Sequence, residues 1–99
     1  MSLLQEATIR ATKSFLSPEF RRGLNKQSPQ VQEIAQLKYI RWRATPETLN
    51  FEPKFYKIYV VEITRDVHAI CEVLGTVVRW IWVGGYRDYM ARLDLLRKK

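Results

Sequence analysis

The sequence predicts an α+β fold, with an N-terminal helical hairpin packed on a small antiparallel β-sheet and a short C-terminal helix. Three observations predict it. Ser17-Pro18 and Ser28-Pro29 each precede an apolar run with helical spacing. Serine suits the N-cap and proline the first helical position, so two helices follow one another across a short link. From Phe55 to Val83, β-branched and aromatic residues dominate, broken at Arg65-Asp66 and Gly75-Thr76. Such runs joined by tight links make an antiparallel meander. After Gly84-Gly85 the period changes. Tyr86, Tyr89, Met90, Leu93 and Leu96 recur at three- and four-residue steps, as on a helix.

Taken in order, residues 1–6 read as a loose end. Ala7 to Lys13 fits a short strand with Ile9 as its strong apolar residue. The first helix starts at Pro18 and places Phe20 and Leu24 on one face, with Phe15 expected to pack back on it. Gly23 weakens this helix, so tertiary contacts must hold it. Lys26-Gln27 is a break. The second helix runs from Pro29 to about Arg43. Its expected apolar stripe is Val31, Ile34, Leu37 and Ile40, widened by Ala35, Tyr39 and Trp42. Lys38, Arg41 and Arg43 suit its C-terminal dipole. Thr45-Pro46 stops it. The pair must fold back as a hairpin and cover one face of the sheet.

Thr48 to Lys54 reads as a connector, followed by strands at Phe55 to Thr64, Val67 to Leu74, and Thr76 to Val83. In the last strand, Val78, Trp80 and Trp82 are two apart and are expected on one face. Val77, Arg79, Ile81 and Val83 take the other. Gly84-Gly85 is expected to end the strand, since glycine relaxes the backbone's steric limits.

The chain of 99 residues makes one domain, residues 1–99, with a single modest core. Its 46% hydrophobic content argues against disorder. No apolar run approaches the roughly 20 residues of a membrane span, and the N-terminus lacks a signal-peptide layout. Cys71 stands alone, so it has no disulfide partner within the chain and reads as a buried hydrophobe rather than a nucleophile. A reducing, cytoplasmic setting fits. With one Cys and one His, the usual zinc site lacks ligands. Seventeen Lys and Arg against ten Asp and Glu give +7, which favours polyanionic partners.

Three stretches carry a resemblance. The first is Ser17-Pro18-Glu19-Phe20 with Ser28-Pro29-Gln30-Val31. The second is Ala44-Thr45-Pro46 with Leu49-Asn50-Phe51. The third and most specific is Trp80-Ile81-Trp82-Val83-Gly84-Gly85-Tyr86-Arg87-Asp88-Tyr89. Over about Phe15 to Leu93 the chain resembles the RelE/ParE superfamily of bacterial toxins, in particular the RelE-like cytotoxic translational repressors. The resemblance implies the toxin of a type II toxin–antitoxin system, acting as a ribosome-dependent mRNA endonuclease that uses no metal or other cofactor. It implies the ribosome, mRNA and a cognate antitoxin as partners, and no membrane. ParE-like relatives act on DNA gyrase instead.

The chemistry the resemblance implies is attack of an RNA 2′-hydroxyl on its neighbouring phosphate. It needs a base, cations for the phosphate and an acid for the leaving oxygen. His68 stands where the family commonly has arginine, and Glu62 where the preceding strand often has another. Tyr86 replaces the family's histidine, while Tyr89 matches its tyrosine. The expected catalytic residues are therefore His68, Tyr86, Arg87 and Tyr89. The expected RNA-binding cations are Lys57, Arg65 and Arg79. His68 as a structural strand histidine and Tyr89 as helix packing are the plain alternatives. The departures at Glu62, His68 and Tyr86 keep a second function open: a gyrase inhibitor, or an inactive toxin fold that binds an antitoxin.

Overall fold

The computed structural model describes residues 8–98. The expected loose end and Ala7, where the first strand was expected to start, lie outside them. The described elements are β1 (Lys13–Leu16), α1 (Pro18–Asn25), α2 (Pro29–Ala44), a 3-10 turn (Pro46–Thr48), β2 (Glu52–Phe55), β3 (Ile58–Thr64), β4 (Val67–Leu74), β5 (Val77–Gly85) and α3 (Tyr86–Arg97). They build one five-stranded sheet in the order β1-β5-β4-β3-β2. Strands β2 to β5 pair antiparallel, as expected of a meander. The sheet as a whole is mixed, because β1 pairs parallel with β5. A parallel pair needs a long connection, and here α1, α2 and the rest of the meander supply it.

Both Ser-Pro signals start helices. Ser17 Oγ accepts from the Phe20 N–H at 3.0 Å, and Ser28 Oγ from the Val31 N–H at 3.2 Å. The Ser17 hydroxyl also donates to the Ile81 carbonyl at 3.2 Å, tying the start of α1 to β5. Helix α1 packs on β5 and α2 on β3, on one face of the sheet. Phe15 does not fold back on α1. It lies in edge strand β1 and is 51% exposed. Residues 9–12 also differ from the expected strand. The Ile9 carbonyl accepts the Trp42 indole N–H at 2.7 Å, and the Ala11 carbonyl accepts from Arg43 at 3.0 Å.

The expected stripe on α2 drifts off the core. Four residues stepping by three rotate around a helix of 3.6 residues per turn. Leu37 and Ile40 are accordingly 47% and 54% exposed. Ala35 and Trp42 are buried instead, with Val31, Ile34 and Tyr39 half-buried against the same core. Trp42 is the hub of that core. Its ring centroid lies 5.4 Å from Phe51, 5.6 Å from Tyr39 and 5.7 Å from Trp80.

Three sheet assignments are corrected. The expected strand from Phe55 to Thr64 is two strands, β2 and β3, joined through Lys57 at φ 64°. Part of the expected connector is therefore β2, whose Pro53 is tolerated because β2 is an edge strand. In β5, Ile70 pairs with Trp82 and Cys71 with Trp80, so Ile81 is an extra residue. This bulge puts Trp82 on the face opposite Trp80 and returns Val83 to the α1/α2 side. Gly84 and Gly85 also continue β5, paired with His68 and Val67, and α3 follows without a link.

The other face of the sheet carries α3. Tyr89 and Leu93 are buried there against Ile58, Val60 and Ile70, with Trp82 and Leu96 alongside. Cys71 is buried, and burial pushes its thiol pKa far up, so it packs as a hydrophobe. Among the described residues, no helix is long and apolar enough to cross a membrane.

Candidate functional site

The α3 face holds the candidate site. His68 sits on β4, in register with Glu62 of β3 and Gly84 of β5. Because α3 starts where β5 ends, its first turns fold back over His68. Tyr89 stacks on the imidazole with centroids 4.8 Å apart and an interplanar angle of 15°. Tyr86 meets it edge-on at 5.4 Å. His68 Nδ1 is buried without a hydrogen-bond partner. From the β2 side, Lys54 approaches Tyr89 while it pairs with Glu52 at 3.0 Å.

These neighbours set the protonation states. Burial holds the His68 imidazole below its ordinary pKa, and Lys54 pushes the same way. Glu62, Glu52 and Asp66 oppose them without prevailing. Burial works against the Lys54 ammonium too. Its hydrogen bond to Glu52 and its attraction to Tyr89 and Glu52 outweigh that, and its pKa is raised. The Tyr89 hydroxyl is raised by burial, with Lys54 opposing. At neutral pH the site therefore presents a neutral imidazole, a fixed ammonium and a protonated Tyr89 phenol. A neutral imidazole accepts a proton, and an ammonium stabilises developing phosphate charge. The carboxylates of Glu62 and Glu52 work against a polyanion at the same place.

The structure brings together His68, Tyr86 and Tyr89. Arg65, in the β3–β4 turn, and Arg87, in the first turn of α3, stand exposed at the same end of the sheet. Two expected cations lie elsewhere. Lys57 is at the far end of β3, five residues before Glu62 and about 17 Å from it along the strand. There its ammonium sits 4.9 Å from the Tyr56 ring centroid. Arg79 pairs with Glu72 at 3.3 Å, about 13 Å from His68 along β4. Lys54 and Glu52 carry no site signal in the sequence, because Pro53 makes their segment read as a connector.

No family model and no curated protein matches this sequence. Solved structures do match. A chain of the RelB–RelE antitoxin–toxin complex from Methanococcus jannaschii superposes with a TM-score of 0.67 at 11% identity, covering 79% of this chain and 96% of that one. A chain of the Escherichia coli DinJ–YafQ complex gives 0.58 at 14%, covering 80% and 97%. The chain has a RelE-like fold. A RelE–RelB complex from Pyrococcus horikoshii agrees, with a TM-score of 0.57 at 10% identity over 80% of this chain and 96% of that one. At 10–14% identity the likeness reaches the fold and not the side chains. The chemistry must therefore be argued from the residues around His68.

Proposed function

We propose that this chain is the toxin of a type II toxin–antitoxin pair, and that it cleaves messenger RNA in the ribosomal A site. The observation that carries the reading is the His68 cluster: a neutral imidazole clamped by Tyr89 and Tyr86, with the Lys54 ammonium beside it. In the proposed reaction, His68 takes the proton from an RNA 2′-hydroxyl as that oxygen bonds to the adjacent phosphorus. Lys54 offsets the added negative charge. The bond from phosphorus to the 5′-oxygen breaks, and Tyr86 returns a proton to the leaving oxygen. The products are a 2′,3′-cyclic phosphate and a 5′-hydroxyl end. Arg65 and Arg87 hold flanking phosphates. The fold shared with toxin–antitoxin complexes supports a cognate antitoxin as partner, and a ribosomal target places the protein in the cytoplasm.

The carboxylates of Glu62 and Glu52 beside the cluster favour a second reading. In it the chain is a non-enzymatic member, either a gyrase inhibitor or an inactive toxin fold that binds an antitoxin. Inducing the chain alone in bacteria and mapping messenger RNA ends separates the two. New codon-phased ends support cleavage. Arrested replication with translation intact supports gyrase. Growth without either effect, with a small acidic protein co-purifying, supports the inactive binder.

A further inference from the structure

Beside the end of β5 that runs past its pairing with β1, between α1 and the start of α3, lies a cavity of about 250 Å³ that the proposed reaction does not use. Gly84 and Gly85 form one side, the Trp82 indole another, and Arg22 of α1, its C-cap Lys26 and the following Gln27 face them. Two glycines shape it. A Cβ on Gly84 would come 2.6 Å from the Trp82 ring, so the ring occupies the space a side chain would take. A Cβ on Gly23 would strike the Val83 carbonyl oxygen, so only glycine lets α1 sit this close to β5.

The lining has a defined chemistry. Trp42 and Trp80 are 1% and 3% exposed, whereas Trp82 is the partly open tryptophan. Lys26, the C-cap of α1, keeps helical backbone angles and follows Arg22 by four residues, so their side chains share a face. Both are exposed, and among the described residues neither forms an ion pair. Of the two acids in the lining, Glu19 is already paired with Arg92 of α3. The other, Asp88, lies on the α3 side of the cavity, across from Arg22 and Lys26. An open indole beside two adjacent cations is the chemistry of single-stranded nucleic acid. The ring stacks a base, and the cations hold the backbone.

The position completes the case. Gly84 is the register partner of His68, and neighbouring strands are about 4.8 Å apart. An RNA strand passing around the first turn of α3, which covers His68, thus reaches both places. We infer that this cavity is a second nucleotide subsite, which stacks a base of single-stranded RNA on Trp82 and holds its phosphate on Arg22 and Lys26. The inference rests on the reading of the chain as an RNA-directed toxin.

The test uses the full chain and a short single-stranded RNA whose 2′-O-methyl groups prevent cleavage. Wild type should bind it with quenching of tryptophan emission. The double variant Arg22→Glu/Lys26→Glu should weaken binding at least about tenfold and flatten the log–log salt dependence by about 1.4, the effect of two lost phosphate contacts on a single strand. Arg22→Lys/Lys26→Arg should restore both, with circular dichroism confirming that each variant is folded. Unchanged affinity in the charge-reversed variant, binding without quenching, or no binding by wild type would each overturn the inference. Cleavage is scored separately on unmodified RNA. A chain that binds through Arg22 and Lys26 without cutting keeps the subsite and refutes the nuclease. One that cuts while the charge reversal leaves affinity unchanged does the reverse.

Discussion

His68 is the residue on which the proposed chemistry turns. As a general base it should be worth roughly 10² to 10⁴-fold in cleavage rate. His68→Gln should lose that factor while circular dichroism shows an unchanged fold. Because burial favours the neutral ring, cleavage should rise with pH through a pKa below about 6.5 and level off by neutrality. The same shift affects stability. Between the folded value and about 6.5, the unfolded chain binds more protons. The contribution is therefore complete above about 6.5 and is lost as pH falls through the folded value. Melting temperatures taken from pH 7 to pH 5 should show a drop in wild type that is smaller in His68→Gln. The histidine was legible in sequence because it stood at a recognisable position. Lys54 was not, since its approach to Tyr89 depends on β2 lying beside β3. Lys54→Met should slow cleavage by more than Lys54→Arg, measured with saturating RNA.

At the scale of elements, β5 determines most of what surrounds the site. The bulge at Ile81 separates the two tryptophans, sending Trp80 to the α1/α2 core and Trp82 to the α3 side. Alternation along the strand placed them together, because a bulge is a feature of pairing between strands and leaves no mark in one strand's period. Gly84→Ala is expected to displace the Trp82 ring and cost about 1–3 kcal/mol, the usual range for overpacking. Chemical denaturation would measure it, and a change in tryptophan emission would show that the ring had moved. Helix α3 holds its place through Tyr89 and Leu93, with Arg92 clasping Glu19 of α1. Leu93→Ala should cost about 2–5 kcal/mol and, if α3 lifts from the sheet, loosen the Tyr89 stack on His68. A drop in both stability and cleavage would support that coupling.

Across the whole molecule, five aromatic residues (Phe20, Tyr39, Trp42, Phe51 and Trp80) knit α1, α2, the loop before β2 and β5 into one core. Trp42→Ala should cost about 3–5 kcal/mol, a large part of the roughly 5–15 kcal/mol of a domain this size. The expected outcome is a chain that is substantially unfolded near 40 °C by circular dichroism.

Helix starts at Ser17 and Ser28, the stop at Thr45-Pro46, the meander from β3 onward and the final helix at Tyr86 were all set by local pattern. Caps, proline stops and period act between residues close in sequence, so the chain alone determined them. The parallel pairing of β1 with β5, the outward turn of Leu37 and Ile40, the opposed tryptophans and the meeting of Lys54 with Tyr89 were decided only by tertiary structure. Each depends on contacts between segments far apart in sequence, where register and crossing geometry choose which side chains meet.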